Sequence, residues 1–141
     1  MNNTVPPCPE GRNILEGKTV LVTAAAGTGI GFATAKRCAE EGATVMISDI
    51  HERRLGSAAD ALAEVTGTRP PIKLCNVSKE AEVQALIESA ISEMGHIDVL
   101  MNNAGLGGFA HIVDMTDDQW NMVLDVTLNG TFRMMRAAMR H

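Results

Sequence analysis

The chain has 141 residues, of which 45% are hydrophobic and 21% are charged, and its formal net charge is -5. This composition is typical of one folded globular domain and excludes a disordered or fibrous chain. The negative charge and the lack of a long basic run argue against nucleic acid or an anionic membrane as a partner. The sequence contains no tyrosine, so this chain alone cannot supply a tyrosine hydroxyl as a catalytic acid or base.

The N-terminal segment contains several prolines. Because Pro6, Pro7 and Pro9 disfavour helix around them, residues 1–17 are predicted to form an extended arm ahead of the folded domain. Binding of a partner by this arm is the functional alternative.

The sequence predicts neither a metal site nor a membrane segment. The cysteines and histidines share no metal-binding spacing: Cys8, Cys38, Cys75, His51, His96 and His111. No charged start followed by an apolar stretch opens the chain, and no apolar run reaches the ~18 residues of a membrane span. We therefore predict a cytoplasmic protein with free cysteines and without a bound metal.

From Lys18 onward, short apolar runs alternate with segments of helical periodicity, which is typical of βαβ units in a parallel sheet. Strands are predicted over 19–23, 43–49, 72–76 and 97–101. Helices are predicted over 30–41 and 52–66, from an N-cap at Ser78 to Gly95, and from a capping box of Thr116 and Gln119 onward. The last helix has no stop signal and is predicted to continue in helical register to His141.

Three glycines, Gly27, Gly29 and Gly31, stand between the first predicted strand and the first predicted helix. Such a loop lets a phosphate approach the backbone closely, where unpaired N–H groups and the helix dipole favour negative charge. A tight turn without a ligand is the alternative. However, the strand, the helix and a following acidic residue all occupy the positions that dinucleotide binding requires, so the loop is predicted to bind a pyrophosphate.

The following acidic residue is Asp49, at the end of the second predicted strand. A carboxylate there can accept hydrogen bonds from both ribose hydroxyls of adenosine and repels a 2′-phosphate, which predicts NAD rather than NADP as the cofactor. Two alternatives stay open. Asp49 could be a solvated strand-end residue, or Arg53 and Arg54 could attract a phosphate and reduce the discrimination.

Several short motifs lie in this order between Lys18 and the end of the chain: Gly29-Ile30-Gly31, Asp49, Asn76-Val77, Asn102-Asn103-Ala104-Gly105 and Leu128-x-Gly130-x-Phe132. Together they resemble the short-chain dehydrogenases/reductases, and the Asn-Asn-Ala-Gly motif after an apolar strand is the most specific of them. The resemblance implies an α/β fold, a Rossmann-like doubly wound parallel sheet with strand order 3-2-1-4 and flanking helices, of which this chain holds the N-terminal part. The NAD-binding domain would span residues 18–141 and be truncated in its last helix.

The resemblance also implies which residues contact the cofactor. Asn76 and Val77 would flank the adenine, while Asn103, Ala104 and Gly105 would support the central strand and the ribose region. With the glycine loop and the acidic residue, the predicted NAD-binding residues are Gly27, Gly29, Ile30, Gly31, Asp49, Asn76, Val77, Asn103, Ala104 and Gly105.

Three positions depart from the family pattern. Counting back from Gly29, the family's first glycine falls on Ala25, and Thr23 stands one residue too early, so the loop is one residue longer than usual. Asn76 replaces a common aspartate, and its amide oxygen can still accept a hydrogen bond from the adenine amino group. Thr127 replaces the helix asparagine that in the family helps to hold a water of the proton relay.

The family's catalytic serine and Tyr-x-x-x-Lys motif lie downstream of the matched segment, so no catalytic residue is predicted within this chain. One hypothesis is that the chain is the cofactor-binding part of an NAD(H)-dependent enzyme that interconverts a small-molecule alcohol and a ketone by hydride transfer. The other is a non-catalytic module that binds a dinucleotide or a partner. The loop Gly107-Gly108-Phe109 does not specify a substrate.

A sheet of four strands leaves the strand over 97–101 at an edge, and the last helix then exposes apolar side chains. Unpaired strand edges and exposed apolar faces promote association. We therefore predict that the chain is poorly soluble or forms a homo-oligomer.

Overall fold

The computed structural model describes residues 8–107 and 110–141. The strands of this part are β1 (Thr19–Val22), β2 (Thr44–Asp49), β3 (Ile72–Leu74) and β4 (Val99–Met101). The α-helices are α1 (Ile30–Glu40), α2 (Glu52–Thr66), α3 (Glu80–Met94), α4 (Asp117–Leu124) and α5 (Gly130–Ala138), and a π-helical turn, Asp125–Asn129, joins α4 to α5. No helix of the described residues is both long and apolar enough to cross a membrane.

The four strands form one parallel sheet in the order β3-β2-β1-β4. Val20 of β1 lies opposite Val45 of β2 on one side and Val99 of β4 on the other. The predicted strand order is therefore confirmed, and the carboxyl ends of all four strands lie along the same edge of the sheet.

Helices cover both faces of the sheet, because β1 is buried on both sides and its side chains divide between two apolar clusters. Val20 and Val22 pack with α1 and α2 on one face. Leu21 packs with α3 and α5 on the other face. This is the doubly wound arrangement that the alternation of strands and helices predicts.

All four strands are shorter in the structure than predicted, the first two by one residue each and the last two by two residues each. The third strand ends at Leu74 rather than Asn76, because the Asn76 side chain accepts the N–H of Ser78 at 3.0 Å and turns the chain. The fourth begins at Val99 rather than Ile97.

The predicted N-cap of α3 at Ser78 is wrong. The N-cap residue is Lys79, and its side chain makes no capping hydrogen bond. The Ser78 hydroxyl instead donates to the Asn76 side-chain oxygen at 2.7 Å. The Ser78 side chain therefore stabilises a local turn with Asn76 instead of capping α3.

The predicted capping box of Thr116 and Gln119 is confirmed at the start of α4. The helix that follows is not regular, since the π-helical turn interrupts it. It also ends at Ala138 and not at His141 as predicted, because the last turn tightens: the N–H of His141 bonds to the carbonyl of Ala138 three residues before it.

The described part of the N-terminal segment, residues 8–17, packs against the C-terminal end of α1. The N–H of Arg12 donates to the buried carboxylate of Glu41 at 2.7 Å, and Arg37 binds the other oxygen of that carboxylate. The Arg12 N–H is the largest of the interactions that lower the pKa of Glu41. Residues 1–7 lie outside the described residues, and an extended arm remains a prediction.

Asp98 fastens the start of β4 to the start of β1. Its carboxylate accepts the N–H and the hydroxyl of Thr19 at 2.8 and 3.1 Å and the Lys18 ammonium at 3.3 Å. The Asp98 N–H donates back to the Thr19 hydroxyl oxygen at 3.0 Å. The Thr19 N–H above all, helped by Lys18, lowers the pKa of Asp98 to about 2. The ionised carboxylate therefore stabilises this pairing at neutral pH.

We expect Asp98→Asn to lower the free energy of unfolding at pH 7, because the amide carries no charge and, if its one oxygen accepts from Thr19, its NH₂ group faces the Lys18 ammonium. The folded-state pKa lies below that of an unfolded aspartate, so the charge stabilises fully above pH ~4 and its contribution is lost as the pH falls towards about 2. Urea unfolding of both proteins across this range should show the deficit of the variant shrinking. Asp60→Asn, which removes an exposed pairing with Arg69, is the control. A deficit independent of pH would contradict the prediction.

Candidate functional site

The loops that follow the strands enclose a cavity of about 420 Å³ at the carboxyl edge of the sheet. Half of the predicted cofactor residues line it: Asp49, Asn76, Val77, Ala104 and Gly105. In open parallel sheets, ligands bind outside the carboxyl ends of the strands, at the point where the strand order reverses beside the central strand. A larger cavity, of about 760 Å³, lies at the opposite edge beside residues 8–11 and contains none of the predicted residues.

The glycine loop adjoins the cavity of about 420 Å³ on the side of α1 and α2. Gly27 lines a second cavity of about 380 Å³ together with Arg53 and Arg54, and Arg54 also lines the first. Gly29 is the N-cap residue of α1, and the Ile30 side chain beside it is 73% exposed. Neither of these two residues lines the cavities, although both stand at the helix start where the loop faces solvent.

Gly31 is the glycine that the fold itself requires. It is buried, and a Cβ there would lie 2.5 Å from the carbonyl oxygen of Ala24 and 2.6 Å from the side-chain nitrogen of Asn103. Gly27 is required for another reason, since its φ of 115° disfavours any residue with a side chain. Gly29 has neither constraint, because a Cβ there would meet open space.

Ala24 takes the conformation that a glycine would adopt more easily. Its φ of 51° is left-handed, which costs an L-residue about 1–2 kcal/mol. The Asn103 amide donates to the Ala24 carbonyl at 3.1 Å and holds it in place. Counting back from Gly29 places the family's first glycine at Ala25, but the non-glycine residue of this loop with a left-handed conformation is Ala24.

Asp49 ends β2 as predicted, but it is not a solvated strand-end residue, because only 8% of its surface is exposed. One carboxylate oxygen accepts the N–H of Ala26 at 3.0 Å and the other accepts the N–H of His51 at 3.1 Å. A carboxylate can accept about four hydrogen bonds, so two acceptor positions remain for a ligand. Asp49 therefore both shapes the glycine loop and faces the cavity.

Asn76 lines the cavity with a different group from the one predicted. Its side-chain oxygen already accepts the N–H and the hydroxyl of Ser78, at 3.0 and 2.7 Å. Both lone pairs of that oxygen are occupied, so it cannot also accept the adenine amino group as the sequence suggested. The group of Asn76 left for a ligand is its amide NH₂, a hydrogen-bond donor.

Thr23 joins the two central loops, a role that the sequence analysis missed. Its buried hydroxyl accepts the N–H groups of Asn103 and Ala104 at 3.0 and 3.1 Å and donates to the carbonyl of Met101 at 3.3 Å. This set uses the full hydrogen-bonding capacity of one hydroxyl. The signal in the sequence is a polar residue that directly follows a run of buried apolar ones.

Thr127, in the π-helical turn, contacts the loop after β4. Its hydroxyl accepts the N–H of Leu106 at 3.1 Å, and it lies 3.6 Å from where a Cβ of Gly105 would be. Its own carbonyl accepts the hydroxyl of Thr131 at 2.9 Å. The Thr127 side chain thus holds the glycine-rich loop through the Leu106 main chain.

Cys75 lines the cavity with a thiol that is protonated at neutral pH. Burial is the main cause that raises the pKa of its thiol to about 12, and the charge of Glu82 adds to the rise. A neutral thiol is a poor nucleophile and a poor metal ligand. Across residues 8–107 and 110–141, no group of three or more histidine, cysteine or acidic side chains is placed to hold a metal ion.

Replacing the Thr23 hydroxyl should destabilise the junction of the two loops. In Thr23→Val the N–H groups of Asn103 and Ala104 lose their acceptor, and a buried unpaired donor costs about 1–3 kcal/mol. We expect the free energy of unfolding to fall by at least ~2 kcal/mol in urea. Thr23→Ser keeps the hydroxyl and should lose less than half as much; equal losses in the two variants would show that packing, not hydrogen bonding, is responsible.

Comparison with known proteins identifies relatives along almost the whole chain. A sequence model described as short chain dehydrogenase matches residues 18–141. A (5R,7aS)-5-hydroxy-7a-methyl-1-oxo-2,3,5,6,7,7a-hexahydro-1H-indene-carboxyl-CoA reductase of Mycobacterium tuberculosis is 54% identical over 142 residues, which cover 100% of this chain and 54% of that protein. An NADP-dependent mannitol dehydrogenase of Alternaria alternata is 36% identical, with coverage of 98% and 53%.

Solved structures give the same result. A short chain dehydrogenase from Mycobacterium smegmatis superposes with a TM-score of 0.93 at 51% identity, covering 96% of this chain and 57% of that one. An NAD⁺-bound xylitol dehydrogenase superposes with a TM-score of 0.84 at 36% identity, covering 90% and 48%. The chain spans about half the length of the curated relatives it matches. It belongs to the short-chain dehydrogenase family.

Proposed function

We propose that this chain forms the NAD(H)-binding part of an oxidoreductase, and that the complete protein interconverts a hydroxyl and a carbonyl by hydride transfer. The observation that carries the proposal is the position of Asp49, whose buried carboxylate ends β2 beside the cavity and keeps acceptor positions for two ribose hydroxyls. The relatives are named as reductases and dehydrogenases, which supports an enzyme over a non-catalytic module.

The pyrophosphate of the cofactor would lie at the start of α1. Gly29 has an extended backbone there and makes no side-chain capping bond, so the first N–H groups of the helix are available to an anion. The open space around Gly29 leaves room for close approach of the phosphates. Gly27 and Ile30 would border the same position.

The adenine would lie between the loops after β2 and β3. Val77 offers an apolar surface there, and the Asn76 amide NH₂ would donate to a ring nitrogen rather than accept from the amino group. On the other side of the cavity, Ala104 and Gly105 would border the nicotinamide ribose. Asn103 would act through the loop, since it binds the Ala24 carbonyl.

NAD is the proposed cofactor because the Asp49 charge would repel the 2′-phosphate of NADP. Arg53 and Arg54 act in the opposite direction, since both line the cavity beside the glycine loop and attract phosphate. The named relatives include an NADP-dependent dehydrogenase and an NAD⁺-bound one, so the preference rests on this local charge balance.

When bound, the nicotinamide ring supplies or accepts the hydride. The residues of this chain bind and orient that ring, and without a tyrosine the chain supplies no family-type acid or base, so we expect no turnover by it alone.

For the complete protein we propose a ring hydroxyl or ketone on a CoA thioester as substrate, supported by the 54% identity to the indene-carboxyl-CoA reductase. Oxidation of NADH by a CoA thioester that carries a ring ketone, compared with its oxidation by a 3-oxoacyl thioester, tests this choice.

Neutralising Asp49 should shift cofactor preference. Asp49→Asn keeps one oxygen to accept a main-chain N–H but removes the charge and one ribose acceptor. Because hydrogen bonds to a charged group contribute about 1.5–3 kcal/mol, NADH should bind between about tenfold and 150-fold more weakly, while NADPH should bind relatively better. Calorimetric titration of the chain with each cofactor measures both, and thermal unfolding checks the fold. Tighter binding of NADPH than NADH by the unaltered chain would refute the proposed preference.

The two glycines at the start of α1 separate a structural role from a binding role. Gly31→Ala places a Cβ 2.5 Å from the Ala24 oxygen and should lower the free energy of unfolding by about 1–3 kcal/mol. Gly29→Ala meets open space and should change it by less than about 1 kcal/mol, yet its methyl group would occupy the phosphate position and weaken NADH binding. Unchanged NADH binding by Gly29→Ala would place the pyrophosphate elsewhere.

We also propose that the chain self-associates. β4 is an edge of the described sheet and Val99 is exposed, while Phe132 and Met135 form an exposed apolar surface on α5. Light scattering should therefore report a dimer or larger species, and a monodisperse monomer at moderate concentration would count against the proposal.

A further inference from the structure

The π-helical turn separates a helix without buried residues from one that has a buried face. Before the turn, α4 buries none of its residues. After the turn, α5 buries Gly130, Met134 and Ala137, which lie on one face at helical spacing. Met134 and Ala137 pack with α3. A single π-helical turn inserts one residue and rotates the following helix, and such turns occur frequently at functional sites.

The rotation brings Gly130 against the loop after β3. A Cβ on Gly130 would lie 2.6 Å from Cγ2 and 3.1 Å from Cβ of Val77, so only a glycine permits the helix to come this close. Val77 is itself buried and lines the cavity at the proposed adenine position. The first residue of α5 therefore lies directly behind Val77, which lines that part of the cavity.

Arg133 binds the same loop from one turn further along α5. Its guanidinium donates to the Asp125 carboxylate at 2.7 Å and to the Asp125 carbonyl at 3.3 Å, and it reaches the Val77 carbonyl at 3.5 Å. Only 21% of the Arg133 side chain is exposed. Asp125 opens the π-helical turn, so Arg133 ties that turn to Val77. Its hydrogen bond is the main cause that lowers the pKa of Asp125.

The Val77 loop is held from its other side by α3. The N–H of Asn76 donates to the Glu82 carboxylate at 2.7 Å, and the N–H of Lys79 donates to the Asn76 carbonyl at 2.9 Å. Contacts from α3 and α5 thus hold the loop from both sides. A loop held in its binding conformation costs less entropy to order on binding.

We infer that Arg133 is a positioning residue that holds the Val77 loop in place for the adenine end of a dinucleotide. The π-helical turn and Gly130 determine where Arg133 lies. The inference rests on the proposed function for the identity of the ligand. The bracing of the loop stands on the contacts alone and can be measured without any ligand.

The experiment compares Arg133→Met with Arg136→Met. Arg136 lies on the same helix, but it pairs with Glu80 at the surface and stacks over Phe132, so its loss is the matched control. In Arg133→Met we expect NADH and ADP each to bind between about twofold and thirtyfold more weakly, which is the range for residues that act through others. The amides of Ser78 and Lys79 should exchange with solvent faster, while those of the loop after β4 should not change.

The variant Arg133→Lys distinguishes the loss of the loop contacts from a general loss of folding. A lysine can keep one hydrogen bond to the Asp125 carboxylate but cannot also reach both carbonyls, so it should retain the melting temperature and restore binding only in part. Wild-type affinity for ADP together with unchanged exchange at Ser78 and Lys79 in Arg133→Met would overturn the inference, as would equal effects in Arg136→Met. Faster exchange at these amides in a chain that binds neither NADH nor ADP would uphold the bracing and refute the proposed function.

Discussion

The close approach of three backbone segments at the ends of β1 and β4 is the constraint on which the site depends. Gly31 passes so near to the Ala24 carbonyl and the Asn103 amide that no side chain fits between them. The Thr23 hydroxyl completes the junction by binding the loop after β4. Because this junction holds the glycine loop and the Asn103 loop together behind the cleft, both can face the same ligand. The strain of a left-handed Ala24 is offset by the hydrogen bond from Asn103.

Elements with local signals at both ends could be predicted from the sequence. The helix over Glu52–Thr66 agrees residue for residue, because its apolar face repeats at helical spacing and Gly67 supplies the left-handed residue that ends it. The buried strands β1 and β2 were also evident from their β-branched runs. The strand order depends on contacts between distant parts of the chain, and it was available only through the resemblance to a family.

One group of errors occurs where a polar side chain had two possible partners. Ser78 could cap α3 or bond to Asn76, and the structure uses the second, which also occupies the Asn76 oxygen expected to bind adenine. The π-helical turn was missed for a related reason, since the contacts around it are made by Arg133, eight residues after Asp125, and by Gly130, which fits against Val77. Periodicity within one helix carries no information about such contacts.

On the proposed function, Asp49 links cofactor preference to the conformation of the glycine loop. Its carboxylate must supply acceptors to a ribose while it also holds the N–H groups of Ala26 and His51. Positive charge that could bind a 2′-phosphate is already present in Arg53 and Arg54, so one negative charge separates an NAD site from an NADP site. Any substitution that reverses the preference must therefore replace two main-chain hydrogen bonds as well as a charge, and a neutral side chain that restores only one of them would change specificity at the expense of loop order.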